Sequence, residues 1–72
     1  MNTTMLKYLV ELSGGKVVAI DTNAFFNRFP MDAYKDELYS LQNLGFVSLL
    51  DGDNQIIDIG VNQKAIDYVS QL

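Results

Sequence analysis

The stretch from residue 46 to residue 60 constrains the fold of this chain more than any other. It contains two strand-like apolar runs, 46–51 and 55–60, which are joined by the polar tetrapeptide 51–54 (DGDN). Asp-Gly and asparagine-rich loops between two such runs are the strongest short-range signal for a β-hairpin. We therefore expect two antiparallel strands in this part of the chain.

The apolar periodicity of the other segments predicts four helices and one further strand. The strand is expected over 16–20, a β-branched run that is typical of a buried strand. The spacing of apolar residues places one helix before this strand, two after it and one after the hairpin. The expected helices span about residues 4–12, 22–28, 31–44 and 62–71.

Local breaks define the third of these helices. Phe29-Pro30 separates it from the second helix, because the residue before a proline is disfavoured in helical conformation. Gly45 stands where a left-handed residue ends a helix, and Phe46 can then pack back on the last turns, as in a Schellman motif. The predicted apolar stripe of this helix consists of Tyr34, Leu38, Leu41 and Leu44.

A tight helix pair followed at once by a hairpin resembles the winged helix-turn-helix superfamily. In that fold a three-helix core carries a small sheet whose hairpin is the wing. The segment 38–47 (LYSLQNLGFV) is similar to the family's exit from its third helix, and 57–68 (IDIGVNQKAIDY) is similar to the passage from wing to last helix in small bacterial or phage-type members. The resemblance covers nearly the whole chain. It implies one α+β domain over 1–72, in the order α-β-α-α-β-β-α.

The composition excludes most catalytic and metal chemistry. Cysteine and histidine are absent, so the chain has no disulfide, no Cys/His metal cage and no imidazole or thiolate for catalysis. The tetrapeptide 51–54 does not begin a calcium loop, because glycine at loop position 6 and glutamate at position 12 are both missing. We therefore expect no enzymatic activity, no cofactor and no bound metal.

The sequence carries no membrane or export signal. The first residues lack the basic region and long apolar run of a signal peptide. No uncharged stretch approaches the roughly 20 residues that a membrane helix needs. We expect a cytoplasmic protein that does not bind a membrane.

The charges of the chain are distributed unevenly. Five basic and nine acidic residues give a net charge of −4. The third helix carries one lysine against three carboxylates, and the segment 51–58 carries three aspartates and no basic residue. In winged-helix DNA-binding proteins these two elements normally contact phosphates, which need positive charge. The charge distribution therefore disfavours that docking mode.

One hypothesis is a regulatory or adaptor protein that contacts a more basic protein partner. The acidic third helix and hairpin would form the contact surface. Tyr39 is predicted to point outward and so to be suited to a protein contact, and a partly covered position at the edge of the core is an equal alternative. The expected contact residues are Met31, Asp32, Asp36, Tyr39, Asp51 and Asp53.

The alternative hypothesis, implied by the resemblance, is a DNA-binding transcriptional regulator that docks as a homodimer. Asn43 could read adenine and Lys35 could contact guanine or phosphate from the third helix. A third hypothesis is an accessory protein of a mobile element whose acidic surface imitates nucleic acid. We rank the adaptor slightly ahead, because both docking elements carry the wrong sign. The expected nucleic-acid residues are Lys35, Tyr39 and Asn43, with Lys7, Lys16, Arg28 and Lys64 on the more basic side.

Overall fold

The computed structural model describes all residues from 1 to 72 and contains four α-helices and one two-stranded sheet. The predicted α+β class, the four helices and the hairpin are confirmed, with every helix end within one residue of the expected position. None of the helices combines the length and the apolar character needed to cross a lipid bilayer. The elements are α1 (Thr3–Ser13), α2 (Thr22–Arg28), α3 (Met31–Asn43), β1 (Val47–Gly52), β2 (Gln55–Val61) and α4 (Gln63–Ser70).

The strand predicted over 16–20 is wrong as a full strand, because the segment forms only one antiparallel bridge. Ala19 pairs with Gly60 of β2. Two backbone hydrogen bonds of 2.9 and 3.0 Å flank this bridge. Of the five residues only Ile20 is buried, with 6% of its surface exposed. The segment therefore adds one rung to the hairpin and no third strand of normal length.

The short space between α1 and α2 explains why this strand does not form. The two glycines that end α1 have φ values of 65° and 71°, so the chain turns sharply there. The turn continues as far as Val18, whose amide donates to the Lys16 carbonyl at 3.0 Å. Asp21 already caps α2, accepting hydrogen bonds from two amides of its first turn. Too few residues remain between the turn and the cap to pair along β2.

The hairpin turn is tighter than the sequence predicts. Gly52 pairs with Gln55, so the connecting loop contains only Asp53 and Asn54. Both loop residues have positive φ, 49° and 64°, as a type I′ turn requires. Gly52, which the sequence places in the loop, and Asp51, which ends the predicted first strand, both belong to strand β1. A two-residue loop holds the ends of the two strands in a definite register.

Gly45 ends α3 as expected. Its φ of 84° is left-handed, and its amide donates to the Gln42 carbonyl at 2.9 Å. The Phe46 amide donates to the Leu41 carbonyl, also at 2.9 Å, which completes a Schellman motif. Leu44, however, lies just beyond the helix and is 47% exposed. The apolar stripe of α3 therefore stops at Leu41 instead of continuing to residue 44.

One apolar core joins the helices to the inner face of the hairpin. It is built mainly from α1, the middle of α3 and alternate residues of both strands. The aromatic rings of α2 and its neighbours form a cluster that includes the buried Phe25 and Phe29 of this core, with centroid separations between 5.1 and 6.2 Å. The largest side chains that are almost completely buried are Phe25, Met5, Leu6, Leu9, Leu38, Leu41, Ile59, Val47 and Val61.

This arrangement predicts that the two faces of α3 respond differently to substitution. Leu41 is 2% exposed, so Leu41→Ala is expected to lower the free energy of unfolding by about 2–5 kcal/mol, through lost burial and the cavity left behind. Asp36 is exposed, so Asp36→Ala is expected to change it by less than about 0.5 kcal/mol. Urea denaturation followed by circular dichroism measures both. Equal losses of stability in the two variants would contradict the orientation of α3.

Candidate functional site

Tyr39 connects α3 to the hairpin. Its hydroxyl donates a hydrogen bond to the Asp51 carboxylate at 3.0 Å. The ring is partly buried and packs against the edge of the core. Of the two positions considered for this side chain, the structure therefore shows the partly covered one, with only the hydroxyl end directed to the acidic surface.

Carboxylates from two different elements act on this hydroxyl. The hydrogen bond to Asp51 raises the pKa of Tyr39 above its ordinary value, because a phenol that donates to a carboxylate is stabilised in its protonated form. Partial burial and the negative charges of Asp51 and Asp36 raise the pKa of Tyr39 further. The fold thus brings an acidic residue of α3 and one of β1 to the same group.

Two further aspartates of the predicted contact set, Asp32 and Asp53, extend this surface. Asp32 lies one helical turn before Asp36 and therefore on the same side of α3. Asp53 occupies the hairpin turn two residues after Asp51. All four aspartates are exposed. We refer to this surface as the acidic face, and it consists of Asp32, Asp36, Tyr39, Asp51 and Asp53.

Met31, the remaining expected contact residue, lies apart from Tyr39. It is the first residue of α3, eight residues before Tyr39, which corresponds to about 12 Å along the helix axis. Its side chain is partly buried. Met31 therefore lies beyond the end of the acidic face and is not adjacent to Tyr39.

Gln42 supplies a second link between α3 and the hairpin, which sequence reasoning missed. Its side-chain oxygen accepts a hydrogen bond of 2.8 Å from the backbone amide of Leu49. β1 pairs with a strand on only one side, so this amide lies on the free edge of the sheet. Because Gln42 is three residues after Tyr39, the two side chains are neighbours on the same face of α3. Two hydrogen bonds thus hold α3 beside β1.

Two of the basic residues are engaged in contacts within the fold. The Lys64 ammonium donates to the Leu44 carbonyl, just beyond the last turn of α3, and lies 5.0 Å from the centre of the Phe46 ring. A cation at this end of a helix is favoured by the helix dipole. The Arg28 guanidinium lies 4.5 Å from the centre of the Tyr8 ring. These two charges contact separate aromatic groups.

Apart from Tyr39, the other residues proposed for nucleic acid are exposed and belong to different parts of the chain. Lys7 is on α1 and Lys16 is in the loop that follows it. Lys35 and Asn43 are both exposed on α3 and are separated by eight residues, about 12 Å along the helix axis. No lysine or arginine occurs between residues 36 and 63, so the hairpin contributes no positive charge.

A groove of about 500 Å³ lies between the start of α1 and α3. Its walls are mainly apolar, and Glu37 is the one ionisable side chain among them. Elsewhere in the structure, as in this groove, no group of three or more acidic side chains is arranged to hold a metal ion. The groove is lined by Met1, Asn2, Met5, Glu37, Ser40, Leu41 and Leu44.

Sequence reasoning also missed two exposed aliphatic residues on the hairpin. Leu50 is 57% exposed and Ile57 is 55% exposed. Exposure of one such residue in each strand could have been predicted from the sequence, because Leu50 is next to Leu49 in one strand and Ile57 is next to Ile56 in the other. Because successive side chains of a strand point to opposite faces, one of each pair must face away from the core.

Comparison of the chain with protein-family models, curated proteins and solved structures gives no match. The resemblance to winged-helix proteins therefore depends on the residues quoted above. The order of elements, a helix pair and then a hairpin and a final helix, is compatible with that fold.

The environment of Tyr39 predicts how its titration responds to substitution. Asp51→Asn removes the charge on the hydrogen-bond partner, so the pKa of Tyr39 should fall toward the ordinary tyrosine value of about 10. Asp53→Asn removes an equal charge without this hydrogen bond and should change the pKa less. NMR titration of the tyrosine ring carbons measures both. An unchanged pKa in Asp51→Asn, or equal changes in both variants, would contradict the contact.

The same shift has a consequence for stability, because the folded pKa of Tyr39 is raised above its unfolded value. The stabilisation by the Tyr39–Asp51 contact is fully present below pH about 10 and is lost as the pH rises through the folded pKa. Asp51→Asn should therefore flatten the decline of stability in this alkaline range. Thermal unfolding measured at a series of alkaline pH values checks this, with Asp53→Asn as the control.

Proposed function

We propose that this protein is a small, non-enzymatic regulatory or adaptor protein of winged-helix type that binds a basic protein partner through its acidic face. The observation that carries the proposal is the hydrogen bond between Tyr39 and Asp51. It brings acidic residues that are distant in the sequence onto one surface of the fold. Surfaces of one charge sign steer oppositely charged partners and select among them.

The winged-helix assignment is supported by the arrangement around α3. α2 and α3 are separated only by Phe29-Pro30, and three residues separate the end of α3 from the start of the hairpin. The Ala19–Gly60 bridge adds a single antiparallel pairing beside β2. In such a fold α3 and the hairpin are the two elements most often used for contacts, and in this chain both carry net negative charge.

A protein partner agrees with the charges better than a nucleic acid does. Phosphates approaching the acidic face would meet carboxylates, whereas binding to nucleic acid depends on Lys and Arg near phosphates. Lysine and arginine side chains of a protein partner would instead pair with Asp36, Asp51 and their neighbours. The Tyr39 ring, partly exposed between them, adds the aromatic surface that is enriched in protein interfaces.

A DNA-binding transcriptional regulator that docks as a homodimer is the second candidate. It is favoured by the exposure of Lys35 and Asn43 on α3, the helix that reads DNA in winged-helix regulators. Contact with phosphates would then have to come from Lys35 or from the basic residues outside the hairpin, since the hairpin offers no cation. The two candidates predict opposite effects of removing negative charge.

The proposal is tested by fluorescence anisotropy with a labelled oligolysine peptide and a labelled random DNA duplex, each at two salt concentrations. The double variant Asp36→Asn/Asp51→Asn is expected to bind the peptide about two- to tenfold more weakly, because two exposed ion pairs are lost. The control Glu11→Gln/Asp67→Asn removes the same charge from α1 and α4. It should bind nearly as well as the wild type.

The DNA arm separates the two candidates. The wild type is expected to bind the duplex more weakly than the about 10⁻⁴–10⁻⁶ M of non-specific DNA-binding proteins. Micromolar or tighter binding that is lost in Lys35→Ala and Asn43→Ala would place α3 in the groove and replace the adaptor proposal. Equal weakening of peptide binding in the acidic-face variant and its control would also contradict the proposal.

A further inference from the structure

A β-bulge in the hairpin changes which side chains face solvent. Leu50 pairs with Asp58, whereas the next residue, Asp51, pairs with Ile56, so Ile57 is an extra residue in β2. A bulge of this kind redirects side chains of the strand that contains it. Ile56 is 3% exposed and Ile57 is 55% exposed. The bulge therefore keeps one isoleucine in the core and places the other outside.

Ile57 lies beside Leu50 on the outer face of the hairpin. Leu50 and Gly52 are two residues apart in β1 and so direct their Cβ positions to the same face. A Cβ on Gly52 would collide with the Cδ1 of Ile57, which shows that the isoleucine side chain covers the glycine on that face. Leu50 and Ile57, both more than half exposed, are called the outer apolar pair.

Two carboxylates flank the outer apolar pair. Asp58 is directly opposite Leu50 in the register of the two strands and is partly buried. Asp53 lies at the turn, whereas Asp51 points to the other side of the hairpin, toward Tyr39. No basic residue occurs in the hairpin. The outer face thus combines an aliphatic centre with a negative rim.

The negative charge beside the outer apolar pair determines which kind of partner can bind to this face. A second copy of the chain would bring another set of carboxylates to the interface, and nucleic acid or an anionic lipid would bring phosphates. Each of these places like charges together, which disfavours association. A protein segment with lysine or arginine beside aliphatic residues is complementary to both features of this face. Its aliphatic groups would cover the outer apolar pair, and its cations would pair with Asp53 and Asp58.

We infer that the outer face of the hairpin is a docking site for an amphipathic, basic protein segment. The inference rests on the proposed function, which already requires a basic protein partner. The inference adds a second binding surface, on the opposite side of β1 from Tyr39. It also adds apolar contacts of the outer apolar pair, which distinguish an amphipathic partner from one that is only cationic. Aliphatic contact contributes affinity by removing the exposed Leu50 and Ile57 from water.

Two labelled peptides of equal length and equal lysine content test the inference, one with leucine and the other with serine between the lysines. The wild type is expected to bind the leucine peptide about tenfold more tightly than the serine peptide. Leu50→Thr/Ile57→Thr should abolish this preference, and threonine retains the tendency to form strands. The control Val17→Thr/Val18→Thr alters two other exposed aliphatic residues and should retain the preference.

Circular dichroism confirms that each variant is folded, and Leu50→Thr alone is measured in case the double variant is not. Equal affinity of the wild type for both peptides, or loss of the preference in the control, would overturn the inference. If the inference fails but binding of the serine peptide is still weakened by Asp36→Asn/Asp51→Asn, the proposed function stands without the second docking site. If neither peptide binds, both the proposed function and the inference are contradicted. Dimerisation in analytical ultracentrifugation that Leu50→Thr/Ile57→Thr abolishes would show that a second copy is the occupant.

Discussion

The left-handed turn at Gly45 is the constraint on which the rest of the structure depends. It ends α3 and sends Phe46 back into the core, so that β1 begins beside the helix that precedes it. Asn62 and Lys64 hold this corner in place. The side-chain amide of Asn62 donates to the Gly45 carbonyl at 3.2 Å, and the Lys64 ammonium donates to the Leu44 carbonyl. Helix, hairpin and final helix therefore meet at one corner, and the orientation of both strands relative to α3 follows from it.

From this corner the hairpin extends along α3 with different surfaces on its two sides. The inner side buries Val47, Ile59 and Val61 and, near its end, places Asp51 within reach of Tyr39. The outer side carries Leu50 and Ile57. One short hairpin thus completes the core, contributes charge to the acidic face and exposes an aliphatic pair. Positive charge is used elsewhere, in part to support aromatic rings and the end of α3.

Features that depend on neighbouring residues could be predicted from the sequence, and features that depend on distant ones could not. The helix stop at Gly45 and the hairpin are local, because each needs only a few residues with suitable backbone preferences. The strand over 16–20 has the right composition but too little room between two helices. The Tyr39–Asp51 contact joins residues twelve apart, and the exposure of Ile57 depends on a register shift between strands. Acidic residues could therefore be recognised as candidates, but not the surfaces that they form.

The hydrogen bond between Gln42 and the Leu49 amide has a consequence for the behaviour of the protein in crowded solution. An unpaired strand edge offers free amides and carbonyls to other chains, and exposed aliphatic residues close by increase that hazard. Here a side chain of α3 already occupies one of those amides, and a bulge interrupts the regular spacing of the strand pair. Leu50 and Ile57 can therefore be exposed, while another molecule finds no continuous row of free backbone hydrogen-bonding groups along which a β-sheet could extend between molecules.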